Sequence, residues 1–218
     1  MRQLGRLVAR IHLAGESSEF EHRPSISVES YGYESVDYLL AEGFIPDEMA
    51  AVYEGIVTQV FDTIDDSFEK GDKIRQIRLH GDFHPGNVLV NGDQLHIVDL
   101  DDCRSGPAVQ DLWMFLSGDR SEQTPQLENL LEGYSEFREF DARELHIVEA
   151  LRSLRILHYA AWIARRWEDP AFKTSFPWFD TPKYWDEHIL SLREQIALMQ
   201  EGPLSWTCLL YTSDAADE

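Results

Sequence analysis

The sequence predicts an α+β fold, mainly helical, with one β-hairpin, and three observations carry that expectation. Apolar residues recur at helical spacing in several long stretches. One short stretch, Leu79 to Asp102 (LHGDFHPGNVLVNGDQLHIVDLDD), reads as two apolar strands around an Asn-Gly turn, the strongest short-range hairpin signal in a sequence. The helices that follow it are not interleaved with strands, which argues against a doubly wound parallel sheet.

Composition sets outer bounds. The 218 residues, 43% of them hydrophobic, suffice for one domain with a substantial core or one large lobe of a bigger protein. A formal charge of −21 argues against a nucleic-acid or anionic-membrane surface, since either needs clustered Lys and Arg to meet phosphates. No long apolar run and no charged-then-apolar leader pattern are present, so a cytoplasmic location with no membrane partner is expected. Cys103 and Cys208 are too few and too oddly placed for a disulfide framework or structural zinc site.

The elements follow in order. Leu4, Leu7, Val8 and Ile11 mark an amphipathic helix that Gly15 can stop. Residues 16 to 30 are polar, contain His22, Arg23 and Pro24, and read as a connecting loop of unreadable role. Met49, Val52, Tyr53, Ile56, Val57, Val60, Phe61, Ile64 and Phe68 form the wide apolar face of one long helix. In the hairpin, Val88 to Val90 and Leu95 to Val98 are the strands and Asn91-Gly92 the turn. Gly106-Pro107 then breaks the chain, with Pro107 suited to the first position of a helix that holds Asp111. Leu127 to Phe137 make a further helix, and Leu145 through Trp167 a long buried one whose Arg152, Arg155, Arg165 and Arg166 are expected to pair with acids. Thr181-Pro182 starts the last helix, patterned by Tyr184, Trp185, Ile189, Leu192, Ile196 and Met199. From Thr207 the pattern is lost, and residues 207–218 read as an extraneous, unstructured tail.

The chemistry concentrates in the hairpin. Counting outward from Gly92 brings Asn87 and Asp99 nearly opposite one another at the open end, with Asp82 just upstream on a loop made irregular by Gly81, Pro85 and Gly86. Two carboxylates and an amide are hard oxygen ligands suited to Mg²⁺, which takes few protein ligands plus substrate phosphates. The order H-G-D-x-H-x-x-N, a hairpin, then apolar-apolar-Asp resembles the catalytic and metal-binding segments of the aminoglycoside phosphotransferase and choline kinase family, relatives of protein kinases. His80, Gly81, Asp82, His84 and Asn87 match that pattern. GPAVQDLWM and RRWEDPAF further resemble its bacterial stress response kinase A branch, which acts on Ser/Thr of proteins; the likeness runs from about Leu4 to Trp206.

The resemblance implies a protein-kinase-like carboxy-terminal lobe over residues 1–206, with ATP and Mg²⁺ as cofactors. Asp82 is then the catalytic base, Asn87 a metal ligand, and Asp99 both metal ligand and catalytic group. The acceptor is a protein Ser/Thr hydroxyl or a small-molecule hydroxyl of the aminoglycoside, choline or homoserine type. His80 and His84 are read as loop-bracing hydrogen bonders, because Pro85 and Gly86 disfavour a helix that would make them a metal pair. Asp111 either sits at a helix amino terminus or, by the resemblance, anchors the catalytic-loop backbone. No G-x-G-x-x-G is present, and no lysine precedes Asp82 in an apolar strand. The expectation is thus a lobe without its amino-terminal partner, poorly active alone and monomeric when complete. Two other readings stand beside it: a haloacid-dehalogenase-like phosphatase with Asp99 as nucleophile and Asp101 as its acid-base partner, and a non-catalytic binding fragment.

Overall fold

The computed structural model describes residues 1–206; the sequence from Thr207, read above as an extraneous tail, lies outside them. In chain order the elements are α1 (Arg2–Gly15), a π-helical turn (Val28–Tyr33), α2 (Glu34–Ala41), α3 (Asp47–Gly71), β1 (Ile77–Leu79), β2 (Val88–Asn91), β3 (Gln94–Ile97), β4 (Arg104–Gly106), α4 (Gln110–Trp113), α5 (Arg120–Tyr134), α6 (Val148–Ala164), α7 (Pro170–Ser175) and α8 (Pro182–Gln200). The mainly helical α+β expectation holds. Among the described residues there is no doubly wound sheet, only two antiparallel two-stranded ribbons, so the phosphatase reading lacks its scaffold.

The chain forms two compact units. One comprises Met1–Arg23, Ile74–Leu145 and residues 203–206; the other comprises Pro24–Lys73 and His146–Gly202. In the first, α1 lies along α5. A Cβ at Gly5 would run into the Leu130 carbonyl and one at Gly133 into the Arg2 carbonyl, so glycine at both positions lets the two helix backbones touch. Arg2 and Arg6 close the rim on Glu136 at 3.0 and 2.7 Å. These exposed pairs add little stability; the apolar stripe of Leu4 and Val8 against Leu127, Leu130 and Leu131 supplies it.

The ribbons are nested. Strand β1 pairs with β4 (Leu79 opposite Arg104), and β2 pairs with β3 (Val88 opposite Ile97). Because the outer pair encloses the inner one in sequence, residues 80–87 and 98–103 must face each other as the two arms between them. The turn sits one residue later than expected, at Gly92-Asp93, with Asn91 opposite Gln94. Gly92 has φ +58° and Asp93 does not follow it to positive φ, the pattern of a type II′ turn with glycine first. That shift changes the register at the open end. Asn87 meets Val98, whose N–H donates to the Asn87 carbonyl at 3.1 Å, and Asp99 is the next residue on.

In the second unit, α3 packs on α8, and α2 and α8 both pack on α6. Tyr53, Trp185, Phe179 and Tyr184 form its aromatic centre. Burial there pushes the His188 imidazole down to about 4, so the ring is neutral at physiological pH. The arginines of the 152–166 stretch divide. Arg152 pairs with Glu149 at 3.0 Å as expected. Arg165 instead lies over the Tyr38 ring and Arg166 over Trp162, at 5.1 and 4.6 Å from the ring centroids. The π-helical turn, α2 and α7 carry no clean period in the sequence and were not anticipated.

Candidate active site

The loop from His80 to Asn87 is held through its backbone. Asp111 is buried in α4; its Oδ2 accepts the His80 N–H at 2.8 Å and its Oδ1 accepts the Gly81 N–H at 2.9 Å. Gln110, beside it, donates its amide to the Gly81 carbonyl at 3.1 Å and accepts from the Trp113 indole N–H at 3.1 Å. Helix α4 has only four residues and starts at Gln110 rather than Pro107, so its dipole is slight. Of the two readings of Asp111, the geometry selects the backbone anchor.

Asp111 is in turn braced from α1. His12, fully buried, sits with Nε2 at 3.1 Å from Asp111 Oδ2 and Nδ1 at 2.8 Å from the Tyr134 hydroxyl. Arg138 donates to that hydroxyl at 2.7 Å, and burial pushes the phenol above its ordinary range, so Tyr134 stays protonated and its O–H donates to His12 Nδ1. This order of donors assigns His12 the Nε2–H tautomer, donating to Asp111. Sequence reading placed α1 correctly but passed over His12, a polar side chain one helical turn beyond Val8 on the apolar stripe.

The remaining loop residues fall as follows. His80 Nε2 lies 2.9 Å from the Val98 carbonyl, tying one arm to the other. His84 Nδ1 accepts the Gly86 N–H at 3.0 Å, which leaves its Nε2 to carry the proton, 3.5 Å from Asp82 Oδ2. Both histidines brace the loop, as expected. Asp82 is half-buried between them. Asn87, buried at the end of the 3₁₀ turn Pro85–Asn87, donates its Nδ2 to the Asp82 carbonyl at 2.9 Å. That bond fixes the amide orientation and leaves Oδ1 as the atom available to a cation.

Asp99 is exposed just past β3 and holds φ +63°, the left-handed region that non-glycine residues seldom occupy. Such backbone strain clusters where a side chain must be presented at a fixed angle. Gly81, with φ +87°, faces the other arm: a Cβ there would come within 2.5 Å of the Asp102 carbonyl. Among the described residues no group of three or more His, Cys, Asp or Glu could form an all-protein metal cage. The donor set of Asn87 Oδ1 and the Asp99 carboxylate is instead that of a hard cation completed by water and phosphate oxygens, which fits Mg²⁺.

One further carboxylate supports the site from below. Glu144, 2% exposed, accepts the Val109 N–H at 2.7 Å, just ahead of α4. Burial, the largest cause, pushes its pKa up to about 7. Between roughly pH 4.5 and 7 the folded chain therefore keeps a proton the unfolded chain has lost, and stability falls as pH rises through that window. The difference corresponds to about 3 kcal/mol. Glu144→Gln keeps an acceptor for Val109 and carries no charge. Urea unfolding should find the variant's advantage over the parent growing from near zero at about pH 4.5 to roughly 2–3 kcal/mol at about pH 8. An advantage flat across pH would contradict the buried-acid assignment.

A family model described as phosphotransferase enzyme family matches residues 1–147. Stress response kinase A of Escherichia coli (strain K12) is 40% identical over 207 residues, covering 95% of this chain and 62% of the relative. Serine/threonine protein kinase RdoA of Salmonella typhimurium (strain LT2) is 38% identical over the same shares. The chain thus spans about three-fifths of the length of these relatives. Among solved structures, a microcompartment-associated aminopropanol kinase superposes with TM-score 0.60 at 20% identity, covering 91% of this chain and 60% of that one. An amicoumacin kinase superposes with TM-score 0.59 at 18% identity, covering 94% and 59%. At these identities the structural likeness speaks for the fold. Among the described residues no helix is long and apolar enough to cross a membrane.

Proposed function

Since this chain belongs to the phosphotransferase enzyme family, we propose that it carries the catalytic half of an ATP- and Mg²⁺-dependent kinase whose acceptor is a protein Ser or Thr hydroxyl. The observation that carries the proposal is the nested pair of ribbons, which sets the Asp82 loop against the Asp99 turn while Asp111 pins the loop's backbone. Asp82 accepts the proton of the acceptor hydroxyl as its oxygen forms a bond to the γ-phosphorus and the bond to the ADP oxygen breaks. The His84 Nε2–H, at 3.5 Å, orients the Asp82 carboxylate. Asn87 and Asp99 would hold Mg²⁺, which when bound neutralises charge on the phosphates.

The acceptor class rests on the relatives. At 38–40% identity they are named as a stress response kinase and a serine/threonine protein kinase, whereas the small-molecule kinases share the fold at 20% identity or less. Residues 1–206 exchanged for the matching segment of stress response kinase A should give a chimera that consumes ATP and labels protein on Ser/Thr. The 218-residue chain alone should do so poorly, because kinase catalysis also uses a glycine-rich cover and a phosphate-binding lysine that this sequence does not contain. Labelling of an amino alcohol or aminoglycoside in preference to protein would overturn the acceptor assignment, and a chimera without ATP turnover would overturn the kinase.

A further inference from the structure

We propose that Arg23, with Phe20 as its platform, is a positioning residue for Asp99; the inference rests on the kinase reading, in which Asp99 holds the metal. The Arg23 Nη1 donates to the carbonyls of Asp101 at 2.6 Å and Cys103 at 3.1 Å. The carbonyl between them, that of Asp102, lies close to Gly81, where a Cβ would come within 2.5 Å of its oxygen. The 101–103 segment is thus held through its backbone carbonyls by Arg23 of the 16–23 strap on one side and lies close against the catalytic loop at Gly81 on the other.

The strap is itself anchored. Two guanidinium groups approach the Phe20 ring, Arg23 at 5.8 Å from its centroid and Arg78 at 5.5 Å. Arg78, on β1, donates to the carbonyls of Ala14 and Gly15 at the end of α1, at 2.9 and 3.2 Å, and reaches Ser17. A chain of contacts therefore runs from the end of α1, through Arg78, Phe20 and Arg23, to the turn that follows Asp99.

Charge explains why this turn needs a strap. Asp99, Asp101 and Asp102 place three carboxylates within four residues, and Asp99 must hold a positive φ while they repel one another. Arg104 meets Asp102 only at 3.4 Å. A guanidinium on the carbonyl side supplies two charge-assisted bonds and a compensating charge. Partners hydrogen-bonded directly to a metal ligand typically change metal affinity by about 10- to 100-fold when removed; Arg23 acts through the backbone beyond Asp99, so its effect belongs at the lower end of that range or below it.

The test uses the full chain, Mn²⁺ as probe, and amide hydrogen exchange without metal. Arg23→Ala and Phe20→Ala should speed exchange selectively across residues 99–105, and Arg23→Ala should weaken Mn²⁺ binding several-fold, up to about 10-fold. Arg23→Lys should recover part of both effects, because an ammonium can reach the carbonyls but cannot stack flat on Phe20. Asp99→Asn separates the two readings. If it leaves Mn²⁺ binding unchanged, the metal role of Asp99 fails, whereas the exchange result still judges the strap. If Asp99→Asn weakens binding but Arg23→Ala changes neither binding nor exchange at 99–105, the strap is overturned. Exchange that rises across the whole unit would also overturn it, marking Arg23 as a general structural contact.

Discussion

Asp82→Ala, introduced into a chimera that transfers phosphate, should lower kcat by roughly 10²- to 10⁴-fold while leaving nucleotide affinity within a few-fold. The expectation follows from where the side chain sits. The loop's fixed shape comes from bonds to its backbone, namely His80 N–H and Gly81 N–H on Asp111, the Gly81 carbonyl on Gln110 and the Asp82 carbonyl on Asn87. The alanine variant keeps all of these atoms. On the proposed role, loss of the carboxylate would therefore remove an interaction with the acceptor proton in the transition state and little that positions the nucleotide. Asp99→Ala should behave differently, weakening both metal-dependent nucleotide binding and rate, since its carboxylate would sit on the metal. Steady-state kinetics with nucleotide titrations separate the two. An Asp82→Ala enzyme that lost nucleotide binding but kept its rate at saturation would remove Asp82 from the role of base.

Much of this site was legible because strong local signals happened to coincide with it. An Asn-Gly pair between two apolar runs announces a hairpin, and His80-Gly81-Asp82 with Asn87 and Asp99 at fixed offsets is the pattern from which phosphate chemistry is proposed. Even so the turn slipped by one residue, because Gly92 satisfies either the second position of a type I′ turn or the first of a type II′ turn, and only the pairing of Asn91 with Gln94 decides. The outer ribbon was illegible for a different reason. Strands of three residues, Ile77–Leu79 and Arg104–Gly106, hold no period and gain their pairing from each other across 24 intervening residues. His12, Tyr134 and Arg138 were missed because a buried polar chain is built from three separate parts of the sequence, each ordinary by itself. Arg23 belongs to the same class: a polar loop reads as a linker until its guanidinium is seen on the Asp101 carbonyl.

That buried chain leads to the largest effect on stability, expected for Asp111→Ala. Asp111 is 1% exposed and accepts three hydrogen bonds, from His80 N–H, Gly81 N–H and His12 Nε2–H. Truncation leaves three donors in a dry site, each penalised by about 1–3 kcal/mol. It also leaves a cavity where a carboxylate was. Local shifts and entering water will recover part of this, so a net loss of about 3–5 kcal/mol is expected, on the order of a 10 °C drop in melting temperature for a chain of this length. The helix-terminus role weighed for Asp111 predicts at most about 1 kcal/mol, so the size of the loss discriminates between the two. Asp111→Asn refines the test. Its oxygen can still accept one loop N–H, but its amide turns two hydrogens toward groups that are themselves donors, so it should fall between the parent and alanine. Because the loop backbone would relax together with its anchor, either variant placed in the chimera should also lose kcat, although Asp111 touches no reacting atom. A Tm shift of a degree or two with kcat intact would mean that the Asp82 loop holds its shape without Asp111, and that the ribbons alone position the base.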